Sequence, residues 1–579
     1  MKKINIILLI LALFVTACGG GDTDSSSEEV VTEESSESLD APATTVATES
    51  PTGQKTGETF RMLMPALPSN ADFAVYQGTA STAVAAIWGG ALFEFKAQDD
   101  PSVQPAINDV QCFICESYTV DADGNITVVL PDGLKSPYGN EISADDVVYT
   151  FERALANDFV FRFLMGVGSW NTESPITKVD DKTFTVNVVA NVPFTLGTLT
   201  WYSGTILDAT EVKSHATDDD PWAKEWLASN SANYGPYNLA SFSAGESAVL
   251  ALNPGWNKFT PTYSDVVISA VPDSATRLQA MLSGAADYTF KVDYDQLASA
   301  EGNSKVLITE ALESRSVELH LNFADEKFAD KRVRQAINLA VDRDAIVAGV
   351  MGKYGASANT QLPEVIKAPN APGSYTRDVN KAKELLADAG YAEGFDMVIT
   401  VNAVRPGSYA SNVALLIANQ LAEVGINATI SVYPSATDFE ASIRNDSFEA
   451  WLWDSTPALS DPYYYWRLNH HPQLAFQNYK GYDNAEFVEK MDTLFTTAAG
   501  PERDALITDI HTILLEDVPM VRIAQPANAG MLRSDIENFR TTTLNAVLVH
   551  YLVENMGHLS YNSRTNIFIG TPEIIEKYL

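Results

Sequence analysis

The chain has 579 residues, of which 46% are apolar and 20% charged, and its 38 Lys and Arg against 75 Asp and Glu give a formal net charge of -37. Single hydrophobic cores stop growing near about 250–300 residues, so a chain of this length is expected to fold as two lobes or more. Nucleic acid and anionic membrane surfaces would repel so acidic a protein, which excludes both as direct partners and leaves solubility as the role of the charge.

Lys2 and Lys3 open the chain and Ile4 to Val15 is continuously apolar, well short of the roughly 20 residues a membrane-spanning helix needs. It reads as a secretion signal. The stretch closes on Val15-Thr16-Ala17-Cys18, which resembles a bacterial lipobox. Residues 1–18 are therefore expected to be a lipoprotein signal peptide, with Cys18 lipidated and the mature chain anchored outside the cytoplasm. From 19 to 58 the chain is rich in Ser and Thr and carries ten acidic residues against Lys55 alone. Such a segment buries too little apolar surface to fold and repels itself into an extended tether.

Beyond the tether, strand-like and helix-like patterns alternate, as in an α/β protein. Cys112 and Cys115, in Cys-Phe-Ile-Cys, are the remaining cysteines. No further zinc ligands are evident around them, and in an oxidising compartment a small structural disulfide is the simplest reading. Ile126 to Leu130 reads as a strand ending at Pro131-Asp132-Gly133. Ser143 to Asp146 then has the form of a capping box ahead of an apolar face formed by Val147, Val148, Phe151, Ala154 and Leu155. Val379, Ala382, Leu385, Leu386 and Ala389 line one helix face before Gly390. Val413, Leu416, Ile417, Leu421 and Val424 line another before Gly425, and Ile426 to Val432 alternates as a strand. These stripes are core packing and name no function.

The function class comes from ordered motifs. Ile126-Thr-Val-Val-Leu-Pro-Asp-Gly-Leu-Lys135 and Ser143-Ala-Asp-Asp-Val-Val-Tyr-Thr-Phe-Glu-Arg153 are followed by Tyr234-Gly-Pro-Tyr237. Then come the block Pro272 to Gly284 with Asp287, the helix Arg332 to Arg343, and Lys381 to Tyr391. This series resembles the bacterial extracellular solute-binding family 5, whose members include dipeptide-, oligopeptide- and nickel-binding proteins of ABC importers. The resemblance implies a two-lobed periplasmic-binding-protein-like fold of the large type II class, with an extra subdomain and a ligand cleft between the lobes. Lobe I would comprise 59–95, 237–318 and 525–579, the inserted subdomain 96–236, and lobe II 319–524. Crossovers near Leu319 to Asn322 and Met520 to Gln525 would form the hinge. The motif residues themselves read as scaffold: turns, caps and the inward face Val333, Ile337, Ala340 and Val341.

The segment Trp451 to Trp466 is the expected cleft element. Peptide-binding relatives carry a Trp-x-x-Asp shortly before Asp-Pro, and that Asp pairs with the ligand's ammonium group. Here Thr456 stands three residues after Trp453, so Asp454 and Asp461 are the candidates for the charge-assisted bond, with Trp453 lining the cleft. Tyr463 to Trp466 reads as half core and half surface. Arg444 lies near where the relatives keep a carboxylate-binding Arg. His470 and His471 are neighbours that point different ways and lack a supporting cluster, so no metal is expected. No nucleophile elbow, zinc-protease motif or phosphate loop occurs, so the chain is read as a non-enzyme without cofactors. The rival classes are a ligand-sensing accessory to a receptor and a secreted hydrolase. The expected partners are a short peptide or similar small solute, the ABC permease and ATPase subunits, and the membrane through the lipid; the protein itself is expected to be a monomer.

Overall fold

Ser143 opens the helix Ala144–Ala156, and the Asp146 carboxylate accepts both the Ser143 backbone N–H and its hydroxyl at 2.8 Å. The same reading of caps and stripes holds for Val379–Asp388, capped by Asp378, and for Ala410–Ala422. The computed structural model describes residues 58–536 apart from 76–88, 97–106, 369–372, 473–480 and a few shorter gaps, and near the C-terminus the strands Ser560–Asn562 and Ile567–Ile569. The signal peptide, Cys18 and the tether up to residue 57 lie outside the described residues, as does most of the chain after Ile536. Glu58, counted with the tether on composition, is the first residue of the strand Glu58–Met64.

A mixed sheet of 12 strands organises the described residues. One half begins with Ile426–Val432 and Phe395–Val401, which pair in parallel. Parallel neighbours need a crossover connection, and the helix Ala410–Ala422 supplies it. Gly394 and Gly425 approach so closely at the start of this unit that a Cβ on Gly394, at φ +75°, would lie 1.8 Å from the Gly425 carbonyl. The other half runs through Tyr288–Phe290, Glu58–Met64, Tyr263–Ala270, Ser247–Leu252 and Tyr237–Ser243.

The 13-residue strand Val521–Arg533 belongs to both halves. Its first residues pair with Ser316–Leu321, and Ala527 to Arg533 pair with Val306–Leu312. Between them, Pro526 faces the short strand Gly355–Ser357. The crossings between the halves therefore fall at 313–315 and near 524–527. The first is several residues before Leu319 to Asn322, where the family resemblance places it. Leu319 and Leu321 are buried inside a strand whose residues are all buried.

A four-stranded antiparallel sheet forms a separate part of the structure, in the order Ser117–Val120, Ile126–Val129, Thr183–Val186 and Ile176–Lys178. Cys112, at the end of Val110–Cys112, is disulfide-bonded to Cys115. The largest apolar core runs from this part into the segment 459–520. Phe194 stacks on Tyr463 at 5.0 Å and on Phe495 at 6.2 Å, and Arg467 lies 5.6 Å from the Phe163 ring. Every residue of the helix Pro462–His470 is buried. Tyr463 to Trp466 is thus core on all sides rather than half surface; a helix enclosed on every face shows no amphipathic period.

Candidate ligand-binding site

The strand Ala450–Ser455 is buried throughout and lies beside Ser316–Leu321, with Asp454 opposite Val317 and Trp453 opposite Glu318. Neighbouring residues of a strand face opposite sides, so Trp453 and Asp454 leave it in different directions. Just past Phe395–Val401 the chain bends through Arg405-Pro406-Gly407. Asn402 ties the bend down: its carboxamide oxygen accepts the Arg405 N–H at 3.3 Å and its NH2 donates to the Tyr433 carbonyl at 2.7 Å.

The bend sets the Arg405 guanidinium 3.8 Å from the centre of the Trp453 ring. A cation on an indole face is held by the ring quadrupole as well as by its ionic partner. That partner is Asp454. Arg405 Nε donates to Asp454 Oδ1, and Nη2 donates to the Asp454 carbonyl at 3.0 Å. From the crossing between the halves, Arg315 Nη1 stands 3.5 Å from Asp454 Oδ2 and donates to the Pro406 carbonyl at 3.1 Å. Burial alone would push the Asp454 carboxyl up. Arg405 and Arg315, with Lys291 adding to them, outweigh it and hold the group below the usual carboxylate range.

The turn that follows Tyr288–Phe290 meets this bend directly. Ser408 Oγ donates to Asp293 Oδ1 at 2.8 Å, and Tyr294 stacks on Tyr409 at 5.8 Å. The site therefore lies where the two halves of the sheet come together.

Of the residues singled out in the sequence, Trp453 and Asp454 are in this site and Arg444 and Asp461 are not. Arg444, itself exposed, ends the helix Ala436–Arg444, whose Phe439 and Ile443 are buried, and pairs one turn back with Glu440 at 2.8 Å. Asp461 caps the helix Pro462–His470 by accepting the Tyr463 N–H at 2.8 Å. Its two oxygens also take Arg503 Nη2 at 2.9 and 3.0 Å. Both Asp461 oxygens are thus committed to the scaffold, away from the Arg405 cluster. His470 packs against Tyr482 and Phe487, and His471 lies 3.5 Å from Asp492. Among the described residues no group of three or more His, Cys, Asp and Glu is placed to hold a metal ion.

Arg405 and Arg315 were missed. Arg315 precedes a strand with no motif around it. Arg405 carries a weak signal, Arg-Pro-Gly shortly after the strand Phe395–Val401, which marks a bend at the strand's C-terminal end, where α/β folds place ligands.

Behind the site a buried polar network ties the same strands together. Glu318 accepts from Ser316 Oγ at 2.7 Å, Tyr465 Oη at 2.6 Å and His320 Nε2 at 3.0 Å. Burial raises the Glu318 carboxyl, but His320, Arg522 and the tyrosine hydroxyl bring it below its ordinary value. Arg522 donates to Ser316 Oγ at 2.9 Å and to the Thr360 and Leu362 carbonyls, which fixes the 360–362 segment.

The same segment carries a pH dependence. His511 is 1% exposed, and its Nε2 accepts the Gln361 N–H at 3.1 Å, a bond only the neutral ring can make. Burial, and then Arg522, push its pKa down from 6.5 to about 4. A depressed histidine pKa means that the unfolded chain binds the proton first. The His511 contribution is therefore full above about pH 6.5 and is lost as pH falls towards about 4, by roughly 3 kcal/mol in all. Urea unfolding at pH 7 and pH 4.5 should show a smaller pH effect for His511→Gln than for the wild type; equal effects would refute the assignment.

The comparisons with known proteins agree with this architecture. Residues 109–475 match the family model of the bacterial extracellular solute-binding proteins, family 5 (middle region). Heme-binding protein A of Haemophilus influenzae is 25% identical over 491 residues, 80% of this chain and 86% of that protein. The glutathione-binding protein GsiB of Shigella boydii serotype 4 is 25% identical over 427 residues, 70% of this chain and 79% of that protein. The structure of the ABC transporter-associated periplasmic binding protein DppA from Helicobacter pylori, in complex with peptide STSA, superposes with a TM-score of 0.73 at 22% identity, covering 86% of this chain and 98% of that one. The family model covers well over half of the chain, so the protein belongs to the bacterial extracellular solute-binding proteins of family 5, and its fold is that of the periplasmic binding proteins. Among the described residues, no helix is long and apolar enough to cross a membrane.

Proposed function

We propose that the protein is the substrate-binding lipoprotein of an ABC importer, that it captures short peptides, and that Arg405 receives their terminal carboxylate. The observation that carries this reading is the set of contacts around Arg405. The side chain keeps 28% of its surface exposed while Asp454 keeps 7%, so the arginine is the group a solute reaches and the aspartate is its anchor. Arginine suits the task because its planar fork matches a carboxylate with two parallel hydrogen bonds. Asp454 then orients Arg405 rather than pairing with a ligand ammonium group, and Trp453 forms the floor beneath it.

Lobe I (59–95, 237–318 and 525–579, with the subdomain 96–236) and lobe II (319–524) close around the ligand by bending where the chain crosses between them. The ligand leaves unchanged, handed to the permease, and the partner ATPase supplies the energy. Peptides read through their main chain and terminus can vary in side chain, which gives affinity without sequence specificity. Lipidation at Cys18 holds the protein at the outer face of the membrane, next to the permease.

The carboxylate contact is tested with synthetic peptides in free-acid and C-terminally amidated forms. The acids should bind at least about 30-fold more tightly than the amides, the effect of losing a charge-assisted pair. Equal binding of the two forms would refute the role given to Arg405.

A further inference from the structure

Lys291 is an unusual residue for its place. It follows the strand Tyr288–Phe290 with φ +51°, a left-handed backbone conformation that glycine adopts readily and lysine does not. The surroundings force this conformation. Arg277, 1% exposed, donates from Nη2 to the Lys291 carbonyl at 2.8 Å and from Nη1 to the carbonyls of Val271 and Pro272 at 2.6 and 2.8 Å. The next residues are held as firmly: the Asp293 N–H donates to Ser274 Oγ at 2.9 Å, and Asp293 in turn accepts Ser408 from the bend that carries Arg405. Strained backbone persists only where its environment over-determines it, and it gathers at ligand clamps. A scaffold that needed only the turn would be better served by glycine, so the lysine side chain is what the position retains.

We propose that Lys291 is the lobe I contact for the anionic end of the ligand that Arg405 holds from lobe II, so that one carboxylate bridges the two lobes. The inference rests on the peptide-carboxylate reading given above. The Ser408–Asp293 bond and the Tyr294–Tyr409 stack place the two cation-bearing segments against each other. Lys291 already acts electrostatically on Asp454, the anchor of Arg405. A ligand carrying its charge to that junction engages both segments at once, which favours the arrangement that holds them together.

The test uses the full-length protein and a pool of synthetic di- to pentapeptides, with affinities read by native mass spectrometry. Lys291→Gln and Lys291→Gly should each weaken binding by about 10-fold or more, and Lys291→Arg should stay within about threefold of the wild type, as expected when the charge is what matters. The arginine variant also reports that the turn still folds. Arg405→Ala is measured in parallel. If Arg405→Ala loses affinity while Lys291→Gln and Lys291→Gly bind as the wild type does, the bridging role is overturned and the peptide reading stands. If the wild type binds none of the pool, or Arg405→Ala binds it normally, the peptide-carboxylate reading fails and the role of Lys291 fails with it.

Discussion

Replacing Arg405 with alanine should raise the dissociation constant for short peptides by about 100-fold or more, the loss expected when one partner of a desolvated charge pair is removed. The fold should survive the change, because Asp454 keeps Arg315 beside it and the bend keeps its bond to Asn402 through the Arg405 backbone. Arg405→Lys should bind with intermediate strength. Lysine restores the charge over Trp453 but not the planar fork that engages Asp454 through Nε and Nη2. Titration calorimetry with one tight-binding peptide separates the cases. Wild-type affinity in Arg405→Ala would show that the ligand is held elsewhere.

Asp461→Ala should instead act on the fold. The variant loses the cap of the helix Pro462–His470 and leaves Arg503, 5% exposed, with the Leu494 and Thr497 carbonyls and the Phe194 ring as its partners among the described residues. Losing a cap costs about 1 kcal/mol, and removing one partner of a buried ion pair about 3–5 kcal/mol, so a lowering of unfolding free energy by at least about 3 kcal/mol is expected. Asp461→Asn, which can still cap, should lose less. Urea unfolding measures both. Unchanged stability combined with lost peptide affinity would return Asp461 to the ligand site.

The contrast between these residues shows what the sequence could reveal. Caps and stripes are local: Ser143 with Asp146, and Ala382 with Leu386, act within a turn or two, and their spacing alone announces them. Asp461, read in the sequence as a ligand candidate, is in the structure the cap ahead of a proline at the first helical position. Its second role, the pairing with Arg503 some 40 residues on, depends on how two helices pack. The ligand site is the extreme case. Arg405, Arg315, Trp453 and Asp454 come from three separated segments, joined only by the register of Ser316–Leu321 on Ala450–Ser455 and by a bend after Phe395–Val401. Only the Arg-Pro-Gly bend sets Arg405 apart in the local pattern from Arg444, which the structure leaves exposed at the end of a helix. The family motifs gave the fold because they encode scaffold, and the structure now shows why one of them is there: Arg277, within the block Pro272 to Gly284, buttresses the strained turn at Lys291.

The central claim, capture of short peptides through their terminus, is tested most directly by native mass spectrometry of the protein purified from its own cells, followed by mild unfolding to release what it carries. The expected release is a ladder of short peptides with free C-terminal carboxylates. A single non-peptide compound or a metal chelate as the released ligand would contradict it, while leaving the protein in its family.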